Sequence, residues 1–169
     1  YHYHINPDIY EAIIQLKEKA QYADLKAQPT QAKCNAYFKD FHNEYNYVEV
    51  AQIYNNLLYK AILNNPNDST LLCYFNDTTL KTFYANSKEP RPYLPEVQKL
   101  YDDCLFKAIE TATSPEAKKH GIKAYIECPY LAGCNRRYLS QVEYANDSID
   151  LVILVSQVDS FPRLPLIKA

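Results

Sequence analysis

The chain has 169 residues, of which 47% are hydrophobic and 22% charged, and a formal net charge of −2. That length suffices for one domain with its own hydrophobic core. The near balance of charge excludes the basic footprint of a nucleic-acid binder and also an acidic tail. Two glycines (Gly121, Gly133) beside 17 tyrosines and 6 phenylalanines exclude a hairpin-rich β protein, phosphate-cradling loops and dinucleotide fingerprints.

Asn6-Pro7-Asp8 predicts a helix start: a capping residue, proline at the first helical position and an acid in the first turn. Ile9, Ile13, Leu16, Ala20 and Ala23 then recur at helical spacing as one apolar stripe. Glu11, Lys17, Glu18 and Lys19 are expected to face solvent. Gln28-Pro29-Thr30 ends this helix. A second is expected from Gln31 to about Tyr45, with Cys34, Phe38, Phe41 and Tyr45 inward. The third, Tyr47 to Leu63, keeps the helical period through Val50, Ala51, Tyr54, Leu58, Ala61 and Ile62. Asn64-Asn65-Pro66-Asn67 stops it, and Asp68 or Ser69 caps a fourth, which carries Leu72, Phe75 and Phe83 inward and fades near Ala85.

Glu89 to Pro95 holds three prolines and is expected to be an extended crossing between the two halves of one domain. Pro95 to Thr113 repeats the helical pattern through Val97, Tyr101, Cys104, Ala108 and Thr111. Ser114-Pro115-Glu116 opens another helix, with a pause expected at Gly121. Cys128-Pro129 and Gly133-Cys134 mark a tight turn, and Arg136 to Tyr144 a further helix. Ser148 is expected to cap Ile149 to Val155, read as a buried helix because no second strand candidate exists to pair with it. Residues 159–169 are expected to be an extended tail. The expected fold is therefore all-α, a single-domain bundle of about six to eight helices with short loops.

Methionine is absent, even at position 1, so the chain is read as a trimmed product; a removed signal peptide is expected, and an excised domain or proteolytic fragment would look the same. No run approaches the roughly 20 apolar residues of a membrane span. None of the five cysteines forms CxxC, so zinc ribbons and thioredoxin-type sites have no support. Cys73, Cys104, Cys128 and Cys134 are expected to form two disulfides of open connectivity, leaving Cys34 as the spare thiol. Sequons at Asn67, Asn76 and Asn146 favour a secretory route, although Asn-Asp-Ser/Thr is also a good N-cap cluster. The expected location is extracellular, or periplasmic in a bacterium.

Candidate chemistry is sparse. The Tyr1 amine, His2 and His4 could chelate Cu(II), but they are read as a frayed terminus, and no metal or cofactor is expected. His42 follows Phe41 on a helix, and His120 follows Lys118 and Lys119 near a helix end. Adjacent Asp102 and Asp103 point to different helix faces and are read as solvated. Arg136, Arg137, Lys118, Lys119 and Lys123 form one small basic cluster. Tyr37, Tyr45, Tyr54 and Tyr101 are the candidate binding residues, since a tyrosine offers a large face with a polar tip.

Residues 54–75, YNNLLYKAILNNPNDSTLLCYF, resemble one joint between tetratricopeptide helices, although no 34-residue repeat follows. Cys73-Tyr74-Phe75, Tyr101-x2-Cys104-Leu105 and Cys128-x5-Cys134 together are similar to an insect secreted family named after the tsetse EP protein. The chain also resembles plant invertase and pectin methylesterase inhibitors, with only Cys34 where those carry a paired-cysteine hairpin. Either resemblance implies a secreted, non-catalytic helical domain. The expected function is binding of a small amphipathic ligand or a protein partner. The alternatives are an extracellular enzyme inhibitor or a structural or storage protein of an extracellular fluid.

Overall fold

A computed structural model describes residues 6–41 and 46–160. The candidate residues His2, His4, His42 and Tyr45, and residues 161–169 of the expected tail, lie outside them. The described residues are all-α, and no strand occurs among them. The chain divides into two compact units, residues 1–92 and 93–169, and the division falls within the proline-rich stretch.

The first unit contains α1 (Pro7–Ala27), α2 (Gln31–Asp40), α3 (Tyr47–Asn64), α4 (Asp68–Asn76) and α5 (Thr78–Ser87). Side-chain caps set the starts of all of these but α3. The Asn6 oxygen accepts from Asp8 N–H at 3.0 Å, and the Thr30 hydroxyl oxygen accepts from Lys33 N–H at 3.2 Å. Asn67 and Thr70 form a reciprocal capping box, the arrangement that satisfies two otherwise orphaned donors at a helix start. The expected fourth helix is in fact two. Asp77 interrupts it, its carboxylate accepting from Leu80 N–H at 2.8 Å as the cap of α5. An aspartate competes with the helical backbone in this way wherever its side chain can reach a free N–H.

α1 departs most from its sequence pattern. Ile9, Ile13 and Leu16 are more than half exposed, whereas the buried positions are Glu18 and Leu25. Helical period alone cannot say which stripe meets a neighbour, and here α2 packs on α1 with its side chains bonded to Lys17, Glu18 and Asp24 in the later part of that helix. α2 and α3 follow expectation more closely: Cys34, Phe38, Phe41, Val50, Ala51, Tyr54 and Ile62 are all in the core. Arg91 closes the unit. Its guanidinium lies 3.6 Å from the Tyr74 ring centroid and donates to the Tyr74 carbonyl at 2.7 Å, which ties the proline-rich segment to α4.

The second unit contains α6 (Leu94–Thr111), α7 (Pro115–Ile126), a 3-10 turn at Pro129–Leu131 and α8 (Leu139–Ser160). α7 packs on α6, and α8 on α7. The buried face of α6 is Val97, Tyr101, Asp102 and Ile109, rotated from the expected stripe, so Ala108 and Thr111 are exposed. α7 runs through Gly121 without a pause. A β-carbon there would stand 3.1 Å from Ile109 Cγ1, so glycine allows α6 and α7 to approach closely. α8 is one helix. Ser148 does not cap it but donates back to the Tyr144 carbonyl at 2.8 Å, a bond that serine makes inside helices. The run Ile149 to Val155 is helical as expected but not buried: Leu151, Val152, Leu154 and Val155 are at least half exposed.

Candidate functional site

Five tyrosines join segments distant in the chain through their hydroxyls. Tyr37 donates its hydroxyl to buried Glu18, Tyr22 to Glu49, and Tyr54 to Asp77 at 2.8 Å. In the second unit Tyr125 donates to Asp102 at 2.5 Å and Tyr138 to Asp103 at 2.7 Å. Burial, then the facing carboxylate, raises the Tyr54 and Tyr125 hydroxyls above their ordinary values. Both therefore stay protonated donors at any physiological pH. Of the candidate binding residues, Tyr37, Tyr54 and Tyr101 are all buried, so they offer no face to a partner.

The acidic pair is also internal in part. Asp102 is 2% exposed rather than solvated. It accepts from Tyr125 and from Arg137 N–H at 3.1 Å, with Arg137 Nε at 3.5 Å. Arg136 donates to the carbonyls of Tyr125 (3.0 Å), Ile126 (2.8 Å) and Cys128 (3.2 Å), satisfying orphaned acceptors at the end of α7. The expected basic cluster thus loses both arginines to structural work.

Burial tends to raise the Asp103 carboxyl, but hydrogen bonds from Arg137 and Tyr138 outweigh it and hold it below its ordinary value. Bonds from Lys17 and Gln21 likewise lower Asp40, and bonds from Tyr22 and Lys26 lower Glu49. A carboxyl with a depressed folded-state value contributes stability above its unfolded value and loses it as pH falls through the folded one. Urea midpoints measured from about pH 6 to pH 3, across the ordinary carboxyl range, should therefore fall as the solution is acidified. Asp103→Asn should make that fall shallower.

The two expected disulfides are absent from the structure, in which no bridge joins any of the five cysteines. Cys73 is exposed on α4 because Leu71, Tyr74 and Phe75 take its buried positions. Cys104 and Cys134 are half-buried, and the Cys134 thiol donates to the Leu131 carbonyl at 3.0 Å. Cys128 and Cys34 are buried. Burial pushes the Cys34 thiol up to about 11, and a protonated, inaccessible thiol is a poor nucleophile. Brief iodoacetamide treatment of the folded protein followed by peptide mass mapping should label Cys73 fully and Cys34 not at all. Labelling of Cys34 at a rate comparable with Cys73 would contradict its placement.

The sequon asparagines differ in setting. Asn67 is half-buried and its oxygen caps α4 through Thr70 N–H at 3.0 Å. Asn76 is exposed at the end of α4. Asn146 lies within α8, half-buried, and donates to Asp150 at 3.4 Å.

What the structure adds is a groove of about 540 Å3 between α7 and α8. Ile122, Ile126 and Ile153 give it an apolar floor, and Glu116, Lys119, His120, Lys123, Glu127 and Asp150 supply a rim of both signs. Lys119 pairs with Asp150 across it at 2.5 Å. Only Ile153 belongs to a run singled out as apolar from the sequence; its convergence with Ile122 and Ile126 depends on how α8 packs on α7. A more polar hollow of about 430 Å3 in the first unit is lined by Asn35, Phe38, Lys39, Tyr47 and the threonines 78, 79 and 82. Among the described residues no cluster of three or more histidine, cysteine or acidic side chains could hold a metal, and no helix is long and apolar enough to cross a membrane. No family model, curated protein or solved structure matches the chain.

Proposed function

We propose that this protein is a secreted, non-catalytic binding protein, and that its ligand is a small amphipathic molecule held between α7 and α8. The observation that carries this reading is the groove itself: several hundred cubic ångströms is the size range of small-molecule sites, which are mostly apolar with a few polar groups for orientation. An aliphatic tail would lie on Ile122, Ile126 and Ile153. A polar head would reach the rim, where cations and anions are both present.

The alternative is a protein partner, with the protein serving as an inhibitor or a structural component of an extracellular fluid. The exposed apolar residues of α1 and α8 favour it. The resemblance to the tsetse EP family supports secretion in either case. Of the sequons, Asn76 is the exposed one and the natural glycan acceptor. A sugar on Asn146 would stand at the groove wall, so the small-ligand reading requires Asn146 to remain bare.

Isothermal titration with dodecanoate and with dodecylamine tests the ligand class, since the two share a tail and differ in head charge. Binding of either, weakened at least about tenfold by Ile126→Glu, is the expected result; one buried aliphatic side chain is worth roughly this much. No heat with either probe would sink the small-ligand reading and leave the protein partner. Intact mass of the protein from its native source tests secretion. A chain without sugar would count against it.

A further inference from the structure

We infer that the outer face of α8 is a self-association surface whose occupant is α8 of a second copy of this chain. Val142, Asn146, Ile149 and Ile153 recur at spacings of four, three and four, and form the stripe towards α7. Val142 is buried and the other three are half-buried. The opposite side carries Tyr144, Leu151, Val152, Leu154 and Val155, which are 77, 63, 59, 61 and 51% exposed. No charge interrupts residues 151–155. A helical segment that is apolar on all sides, as 151–155 is, is normally covered on all sides, and among the described residues of this unit α7 covers one side.

The pattern of the exposed side points to the kind of partner. Tyr144, Ser148, Leu151 and Val155 also follow the spacing four, three, four, which is that of a heptad seam. Leucine at the d position with a β-branched residue at the a position is the combination that favours two strands. Leu151 and Val155 occupy these positions, and Val152 and Leu154 flank them, widening the seam. An identical helix is thus a complementary partner, related by the two-fold symmetry usual in homodimers. A net charge of −2 opposes association only weakly.

Five large side chains at half to three-quarters exposure, counted on both copies, approach the roughly 1,000 Å2 at the lower limit of specific interfaces. The expected dimer is therefore weak, with a dissociation constant on the order of micromolar. The groove lies on the α7 side of the helix, so each copy keeps its own open.

Sedimentation equilibrium of the full chain over roughly 1–200 µM, bracketing that affinity, tests the inference. A reversible rise towards twice the 19.6 kDa chain mass is expected. Leu151→Glu should raise the dissociation constant at least about tenfold, as truncating a central contact does. Ser148→Leu, which completes the seam, should lower it. Ile13→Glu, on the separate apolar stripe of α1, should leave it unchanged. Because residues 13, 148 and 151 are exposed, circular dichroism should show all three variants folded. Three results would each overturn the inference. One is a monomer at every concentration, Ser148→Leu included. Another is a dimer broken by Ile13→Glu but not by Leu151→Glu. The third is a monomer that instead pellets with phosphatidylcholine–phosphatidylserine vesicles through Leu151.

Discussion

Asp102→Ala should destabilise the second unit by about 3 kcal/mol. The substitution strands two donors that otherwise meet a buried carboxylate, the Tyr125 hydroxyl at 2.5 Å and Arg137 N–H at 3.1 Å. Leaving a buried donor unsatisfied costs about 1–3 kcal/mol each. The Arg137 guanidinium adds less, because at 36% exposure it can turn to water once its partner is gone. Urea unfolding should show the loss as a lower midpoint with an unchanged slope. Hydrogen exchange should locate it in α6, α7 and the turn after them. Asp102→Asn keeps an acceptor for Tyr125 at nearly the same volume, and should lose about 1 kcal/mol, the worth of an ordinary hydrogen bond. Equal stability of the alanine and asparagine variants would mean that the Tyr125 bond contributes little.

The second large effect is expected at Glu18. Its carboxylate is 5% exposed and accepts from Tyr37 and, at 2.8 Å, from Asn46 Nδ2. Three segments of the first unit thus converge on one side chain: α1, α2 and the start of α3. Glu18→Ala removes the shared acceptor and opens a small void, for a loss of about 2–3 kcal/mol. Asn46 is half-buried and can find water, which keeps the figure below that for Asp102. Tyr37→Phe, which leaves the carboxylate in place but takes one donor from it, should cost about 1.5 kcal/mol, within the range for hydrogen bonds to charged groups. Glu11→Ala, on the solvent side of the same helix, should be silent.

These two acids show where sequence pattern stops being informative. Glu18 stands among Lys17, Lys19 and Glu11, and Asp102 beside Asp103, so both read as solvated. Each is buried because a tyrosine far along the chain brings a hydroxyl to it: Tyr37 is 19 positions from Glu18, and Tyr125 is 23 from Asp102. The tyrosine excess was visible at once. That its hydroxyls would be used inward, leaving Tyr37, Tyr54 and Tyr101 with no face to a partner, depends on which helices meet.

The same limit applies to the apolar stripes and to the groove. In α1 the period is present but the buried side is set by α2, so Ile9, Ile13 and Leu16 are left outside. In α8 the apolar run 151–155 is compatible with burial on every side, yet among the described residues of its unit α7 covers one.

Local chemistry by itself determined much of the secondary structure. Caps at Asn6, Thr30, Asn67 and Ser114, and prolines at the first turns, act through backbone donors within three residues of themselves. Helix starts and the all-α class therefore follow from neighbouring residues alone. Tertiary structure decided the rest: the rotation of α1 and α6, the burial of Glu18 and Asp102, and the groove between α7 and α8. Each of these depends on pairs of residues distant in sequence, and a helical period repeats identically whichever of its sides a neighbour comes to cover.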